Sequence, residues 1–280
     1  MNDVSHRDFN SNLHSHLLCS DRSGTPAGMS SRVKTIGIVG GMSWASTITY
    51  YRVVCEEIIR MTAGQSCGSL RIISFNSNEI EKIIEDRRWQ ELAEKISSAT
   101  NCLINIGSEI IIVASNTAHL AFEQHPASLH KRTIHIADAL VDRLTGMGIA
   151  SVGMVGTSTT SSSLATGRLV RRLGYMPIIP PSDIWRTIDD IIFTRLCRGI
   201  IHPKDKELMI SILDGIRLRG AARIILGCTE LGLLFTSEEK AALGLLDAAE
   251  IHASVAAGRS LSEFQAIACS SSAPLPLMPP

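Results

Sequence analysis

An apolar run at residues 109–115, EIIIVAS, breaks off into Asn116-Thr117-Ala118-His119. A second run at 222–226, ARIIL, breaks off into Gly227-Cys228-Thr229-Glu230. A buried strand that stops in hydroxyl, amide and thiol groups constrains a fold, because those groups need water, a partner or a ligand. The two breaks also keep the same company. KTIGIVGG (34–41) is a β-rich run stopped by glycines, and ASVGMVGTSTTSS (150–162) repeats its strand-then-small-residue pattern. Ser115 follows Gly40 by 75 residues, and Cys228 follows Gly156 by 72. Two copies of one α/β unit fit this spacing.

The segments between the breaks alternate in period. Apolar residues recur at helical spacing over 44–63, after a possible cap at Ser43, and again in two stretches across 79–106. Residues 70–76 form a strand pattern ending in polar groups, and 133–148 a strand turning into a helix. In the second half, helices are expected at 161–174, 183–199 and 204–220, strands at 175–181 and 222–234, and a short strand plus a last helix at 243–261. Strands alternating with helices predict parallel sheets covered on both faces. The fold class expected is α/β, with two pseudo-symmetric three-layer α/β/α domains. Ligands in open α/β sheets sit outside the carboxyl ends of the strands. Four polar strand ends are therefore expected to converge on one interdomain cleft.

Composition narrows the function. The chain has 280 residues, and hydrophobic types make up 45% of them, enough for a large core. Lys plus Arg (27) balances Asp plus Glu (27), so neither nucleic acid nor an anionic membrane surface is the expected partner. No run of 18 apolar residues is present, and no membrane span is expected. Seven cysteines are scattered without a CxxC pair, which fits reduced thiols in a cytoplasmic protein better than a disulfide framework or a metal site. The start shows no charged segment followed by an apolar one, so a secretory signal is not expected. Residues 1–33 read as a disordered extension and 266–280 as a loose tail. The intended domains are 34–147 with 245–265, and 148–244.

The opening IGIVGGMSWAST, the strand ends SNTAH and GCTEL, the GTSTT loop and the closing LLDAAEIHA resemble the aspartate/glutamate racemase family. The resemblance covers about residues 34–262. It implies two similar α/β domains, an active site between them, the C-terminal helix packed back on the first domain, and a homodimer. It also implies cofactor-independent racemisation of aspartate, glutamate or a related amino acid, with no cofactor and no metal. In the family one thiol removes the α-proton from one face of the substrate and a second thiol delivers a proton to the other. Inverting a stereocentre this way needs an acid and a base on opposite sides of one carbon. Cys228 stands at the second thiol position. Ser115 stands at the first, where the family has cysteine, and a hydroxyl is a far weaker acid than a thiol.

The resemblance makes Cys228 the thiol acid/base and places Ser115 opposite it. Gly41, Met42 and Ser43, Thr157 and Thr160, and Asn116, Thr117 and Thr229 are expected around the substrate, with Asn76 and Asn78 near its side-chain end. Donors on the substrate carboxylate matter because the intermediate carries extra negative charge there. GGMS is not GxGxxG, so no dinucleotide site is expected. His119, one turn beyond Ser115, reads as a histidine on a helix face. Relatives that use dicarboxylates often carry a lysine where Thr187 stands, with Arg186 beside it here. Two rival readings keep the fold: a one-cysteine decarboxylase of malonate-type acids, and a relative that binds a small molecule without catalysis.

Overall fold

The computed structural model describes residues 32–124, 131–161, 169–170, 172–174 and 176–261. Both expected tails fall largely outside the described residues, as does most of the helix expected at 161–174.

Among the described residues, six strands form two parallel sheets. The first has the order β2–β1–β3, from β1 (Ile36–Gly40), β2 (Leu70–Ser74) and β3 (Ile110–Val113). The second has the order β4–β5–β6, from β4 (Val152–Val155), β5 (Arg223–Leu226) and β6 (Leu245–Asp247). Isolated parallel bridges add Thr133 beside Ile111 of β3 and Ile178 beside Gly153 of β4. With those bridges the orders are β2–β1–β3–Thr133 and Ile178–β4–β5–β6. Taken in chain order these are one topology used twice, the physical counterpart of the repeated sequence spacing.

The helices are α1 (Trp44–Met61), α2 (Ser77–Glu85), α3 (Trp89–Asn105), α4 (Ile136–Gly146), α5 (Ser158–Ser161), α6 (Trp185–Asp190), α7 (Pro203–Leu218), α8 (Ser237–Ala242) and α9 (Ala248–Ser260). Alternate residues of each central strand enter different cores. Ile36 and Ile38 of β1, with Ile110 and Ile112 of β3, pack with Tyr50 and Val54 of α1 and Ala253 and Ala256 of α9. Val39, Ile111 and Val113 point the other way, to Ile80 and Ile83 of α2 and Leu92 and Ile96 of α3. In the second sheet, Ile224 and Leu226 meet Leu213 and Ile216 of α7, while Ile225 and Met154 meet Leu140 and Leu144 of α4. Continuous apolar strands covered on both faces are what parallel pairing requires. Among the described residues no helix is long and apolar enough to cross a membrane.

Three details differ from the sequence reading. Residues 245–265 were expected to join the first domain as a block, but β6 pairs with β5 in the second sheet, register Ile225 to Leu246. Only α9 returns, packing on α1, α4 and β3. The strand expected at 175–181 is reduced, in its described part, to the bridge at Ile178; two prolines at 180–181 cannot donate to a ladder. The single helix expected at 183–199 is four short pieces: a 3₁₀ turn, α6, a π-helical turn at Ile191–Arg195 and a second 3₁₀ turn at Leu196–Arg198. Apolar spacing does not separate these helical forms, and π turns recur at functional sites.

Asp247 joins the two halves. It ends β6, and its Oδ1 caps α9 by accepting from the amides of Ala249 (3.0 Å) and Glu250 (3.3 Å). Its Oδ2 takes the Lys240 ammonium at 2.6 Å, and Lys240 also reaches Glu250 at 2.8 Å. Asp247 and Lys240 are both buried. Removing Asp247 leaves Lys240 with Glu250 alone, at a cost near the low end of the buried-pair range, about 3 kcal/mol, and losing the cap costs about 1 kcal/mol more. Asp247→Ala should therefore lower the unfolding free energy measured in urea by about 4 kcal/mol. Asp247→Asn keeps a capping oxygen and should lose about 1 kcal/mol less.

Candidate functional site

The site lies at the carboxyl ends of β1, β3, β4 and β5. A cavity of about 70 Å³ is lined there by Met42, Ser43, Ser115, Asn116, Thr117, Thr157, Thr160, Cys228, Thr229 and Glu230, among others. Ser115 and Cys228 thus face one cavity from the ends of equivalent strands, β3 and β5. An adjoining chamber of about 240 Å³ shares Met42, Ser43, Ile84, Phe193 and Cys197 with the first and continues to Asn78, Glu81, Glu85 and Arg198.

The β3 end is held by several hydrogen bonds. Ala114 carbonyl accepts from the Ser46 hydroxyl (3.1 Å). Ser115 Oγ accepts from the amide of Ala118 (3.3 Å), which starts the 3₁₀ segment Thr117–Gln124. Asn116 Nδ2 donates to the carbonyl of Gly227 at 2.8 Å, so the first half's strand end is bonded to the residue before Cys228. That bond uses one of the two hydrogens on the amide nitrogen expected to meet a substrate.

The β5 end has a different character. Cys228 is buried, and its Sγ donates to Glu230 Oε2 at 2.9 Å; the Thr229 hydroxyl donates to the same oxygen at 2.9 Å. Burial pushes the Cys228 thiol well above its ordinary range, and the Glu230 charge and hydrogen bond push it the same way. The resting group is a thiol, with a carboxylate in place to receive its proton. Glu230 had no assigned role in the sequence reading. Its chemical type was legible, but its turn back toward the sulfur two residues earlier was not.

The loops frame the cavity. Ser43 caps α1 through Ser46 N (3.3 Å). The Thr157 hydroxyl donates to Thr160 Oγ1 (2.9 Å) and accepts from the Thr160 amide (3.1 Å), which closes the turn into α5. Two expected contacts lie elsewhere. Gly41 lines neither chamber: it turns the chain at φ +81°, where a Cβ would meet the Phe75 backbone at 2.2 Å. Asn76 also lines neither, and its side chain caps α2 by accepting from Asn78 N (3.1 Å). Thr187 and Arg186 are exposed and outside both linings, so Arg198 is the cation on the chamber walls.

Cys197 was not singled out from sequence. It follows the π turn and lines both chambers. Burial pushes its thiol up to about 12, with Glu230 and Glu81 adding to the effect. No signal in its own surroundings, RLCRG, distinguishes it from a packing cysteine.

Comparison with known proteins shows the family and the fold. The family model described as Asp/Glu/Hydantoin racemase matches residues 39–256. A Yersinia pestis crystal structure assigned as an Asp/Glu racemase is 32% identical, with a TM-score of 0.73, over 82% of this chain and 100% of its own. An aspartate racemase homologue from Pyrococcus horikoshii is 29% identical, with a TM-score of 0.65, over 83% and 99%. The aspartate racemase of Picrophilus torridus, at 20% identity and a TM-score of 0.64 over 81% and 94%, shares the fold. The matched span contains both strand ends, and the chain belongs to the Asp/Glu/hydantoin racemase family.

Proposed function

We propose that this chain is a pyridoxal-independent amino-acid racemase acting on aspartate, glutamate or a related amino acid. The observation that carries the reading is that Ser115 and Cys228 line one cavity from opposite, topologically equivalent strand ends. The inner volume suits the α-carbon with its carboxylate and ammonium; the side chain extends into the adjoining chamber. Thr117 supplies a hydroxyl donor where the carboxylate gains charge, and the Thr157 and Thr229 hydroxyls, which donate to Thr160 and Glu230 in this structure, join it by rotating toward the substrate. Cytoplasmic location, dimeric assembly and independence of any cofactor belong to the same reading.

The two proton steps are unequal. In one direction Cys228 passes its proton to Glu230, and the thiolate takes the α-proton; the Ser115 hydroxyl then protonates the opposite face, and water carries the proton held by Glu230 back to the serine alkoxide, which restores both groups. The serine oxygen already accepts the Ala118 amide, which leaves its own proton to be donated. In the reverse direction the serine must act as base, for which a hydroxyl is poorly suited. One thiol backed by a carboxylate also fits a second reading, protonation of a carbanion from the Cys228 side alone after decarboxylation of a malonate-type acid.

Incubation of L- and D-aspartate and glutamate in deuterated water should show α-deuteration with inversion, followed by proton NMR and circular dichroism. The enantiomer whose α-hydrogen faces Cys228 should exchange faster. Carbon dioxide release from a malonate, with no exchange of any amino acid, would favour the second reading; neither activity would reject both. Ser115→Cys should raise turnover about tenfold or more in at least one direction, and Cys228→Ala should lower it about 10²–10⁴-fold. No gain from the first together with no loss from the second would remove this pair from the chemistry.

Glu230→Gln has a signed pH effect. The Glu230 charge raises the Cys228 pKa, so its removal lets the thiolate form at lower pH. The alkaline rise in kcat should therefore move to lower pH, while kcat at neutral pH falls about 10²-fold for want of a proton acceptor. An unmoved rise would separate Glu230 from the thiol's titration.

A further inference from the structure

We propose that His119 is a positioning residue that fixes the Ser115 end of β3 for proton transfer, supported from beneath by His252 and Tyr50. The inference rests on the acid–base role given to Ser115 above. His119 is buried, not set on a solvent face. Its Nδ1 lies 2.8 Å from the Ser115 carbonyl, and its Nε2 lies 3.3 Å from the amide nitrogen of Ile136. An amide N–H can only donate, so Nε2 accepts and the ring proton sits on Nδ1, which donates to Ser115. Both ring nitrogens are thereby used on backbone, one on each side of the strand end.

The ring itself is held by other rings. His135 packs edge-on at 4.6 Å between centroids and His252 at 5.5 Å. His135 Nδ1 accepts from the Ala137 amide at 3.1 Å. His252 Nε2 lies 2.9 Å from the Ile134 carbonyl, which it must meet as a donor, and its Nδ1 lies 2.9 Å from the Tyr50 hydroxyl. Tyr50 comes from α1, His252 from α9, and Ile134 follows the residue bridged to β3. The network therefore runs from two helices to the strand end, with each of these rings neutral. Among the described residues no such group has the geometry to hold a metal.

The mechanical consequence follows from where the bond falls. The Ser115 carbonyl and side chain branch from the same Cα, so anchoring the carbonyl limits displacement of the Cα from which the hydroxyl hangs. A proton donor displaced by about an ångström loses roughly 10²-fold in rate. His119 adds no proton to the reaction; it limits the directions from which Ser115 can deliver one.

Asparagine offers the test, because its Nδ2 superposes on the histidine Nδ1–H whereas leucine keeps only bulk. Ser115→Ala first identifies the enantiomer whose α-exchange depends on the serine face. His119→Leu should slow exchange at that face at least tenfold and change exchange at the Cys228 face less than threefold. His119→Asn should recover the serine face to within about threefold of the parent. Equal losses at both faces, or asparagine no better than leucine, would overturn the proposal, since a merely structural histidine affects both faces alike. Nitrogen-15 NMR of the unaltered protein provides a readout that does not depend on folding of the variants. His119 should be the Nδ1–H tautomer from pH 6 to 8, and an Nε2–H form or an imidazolium there would overturn the proposal. Absence of α-exchange in the unaltered protein fails the racemase reading instead, and the tautomer then still decides whether the bond to Ser115 exists.

Discussion

The hydrogen bond from Asn116 to the Gly227 carbonyl is the constraint on which the site depends. It joins the loop after β3 to the loop after β5, at the residues next to Ser115 and Cys228. Parallel sheets place both ends on the same side, but they do not by themselves set the separation. A side chain from one half bonded to the backbone of the other does. Its 2.8 Å length leaves no gap between the segments, and the cavity is defined by the side chains flanking the bond.

Around that tie the halves supply unlike surroundings. The Cys228 sulfur sits at the edge of an apolar cluster with Leu226, Leu231 and Leu234, and it donates to a carboxylate, that of Glu230. Low dielectric and negative charge both favour the thiol over the thiolate. Ser115 sits among backbone donors and acceptors instead. A fold that repeats its topology therefore does not repeat its electrostatics. The directional bias of the chemistry follows from this difference as well as from the change of element from sulfur to oxygen.

Much of the fold was legible because it depends on short-range pattern. Apolar runs of four residues flanked by helical periods specify parallel strands, and equal spacing of their ends specifies a repeat. The polar groups at those ends were legible for the same reason, as exceptions to an apolar run. What escaped depends on side-chain direction or on pairing between distant segments. Glu230 lies two residues from Cys228, and only the turn at Thr229 brings its carboxylate to the sulfur. His119 was read as a helix-face residue because helical spacing gives no sign of α9 lying beneath it. Gly41 and Asn76 have the composition of ligand-binding residues, yet their local geometry assigns them to a turn and a cap. Leu245–Asp247 carried no signal for which sheet it would join, since three apolar or acidic residues suit either edge.

The crossing at Asp247 explains why the last helix matters to a site it does not line. β6 completes the second sheet, and α9 leaves from the same residue to pack on α1 and β3. Asp247 fixes the direction of that departure through its cap and its bond to Lys240. Five residues later His252 reaches the Ile134 carbonyl and packs edge-on against His119. The chain thus approaches both strand ends in its final elements: the second through β5–β6 pairing, the first through the histidine network. A change that tilts α9 would disturb Ser115 before Cys228, because His252 ties that helix by hydrogen bond and ring contact to the serine side.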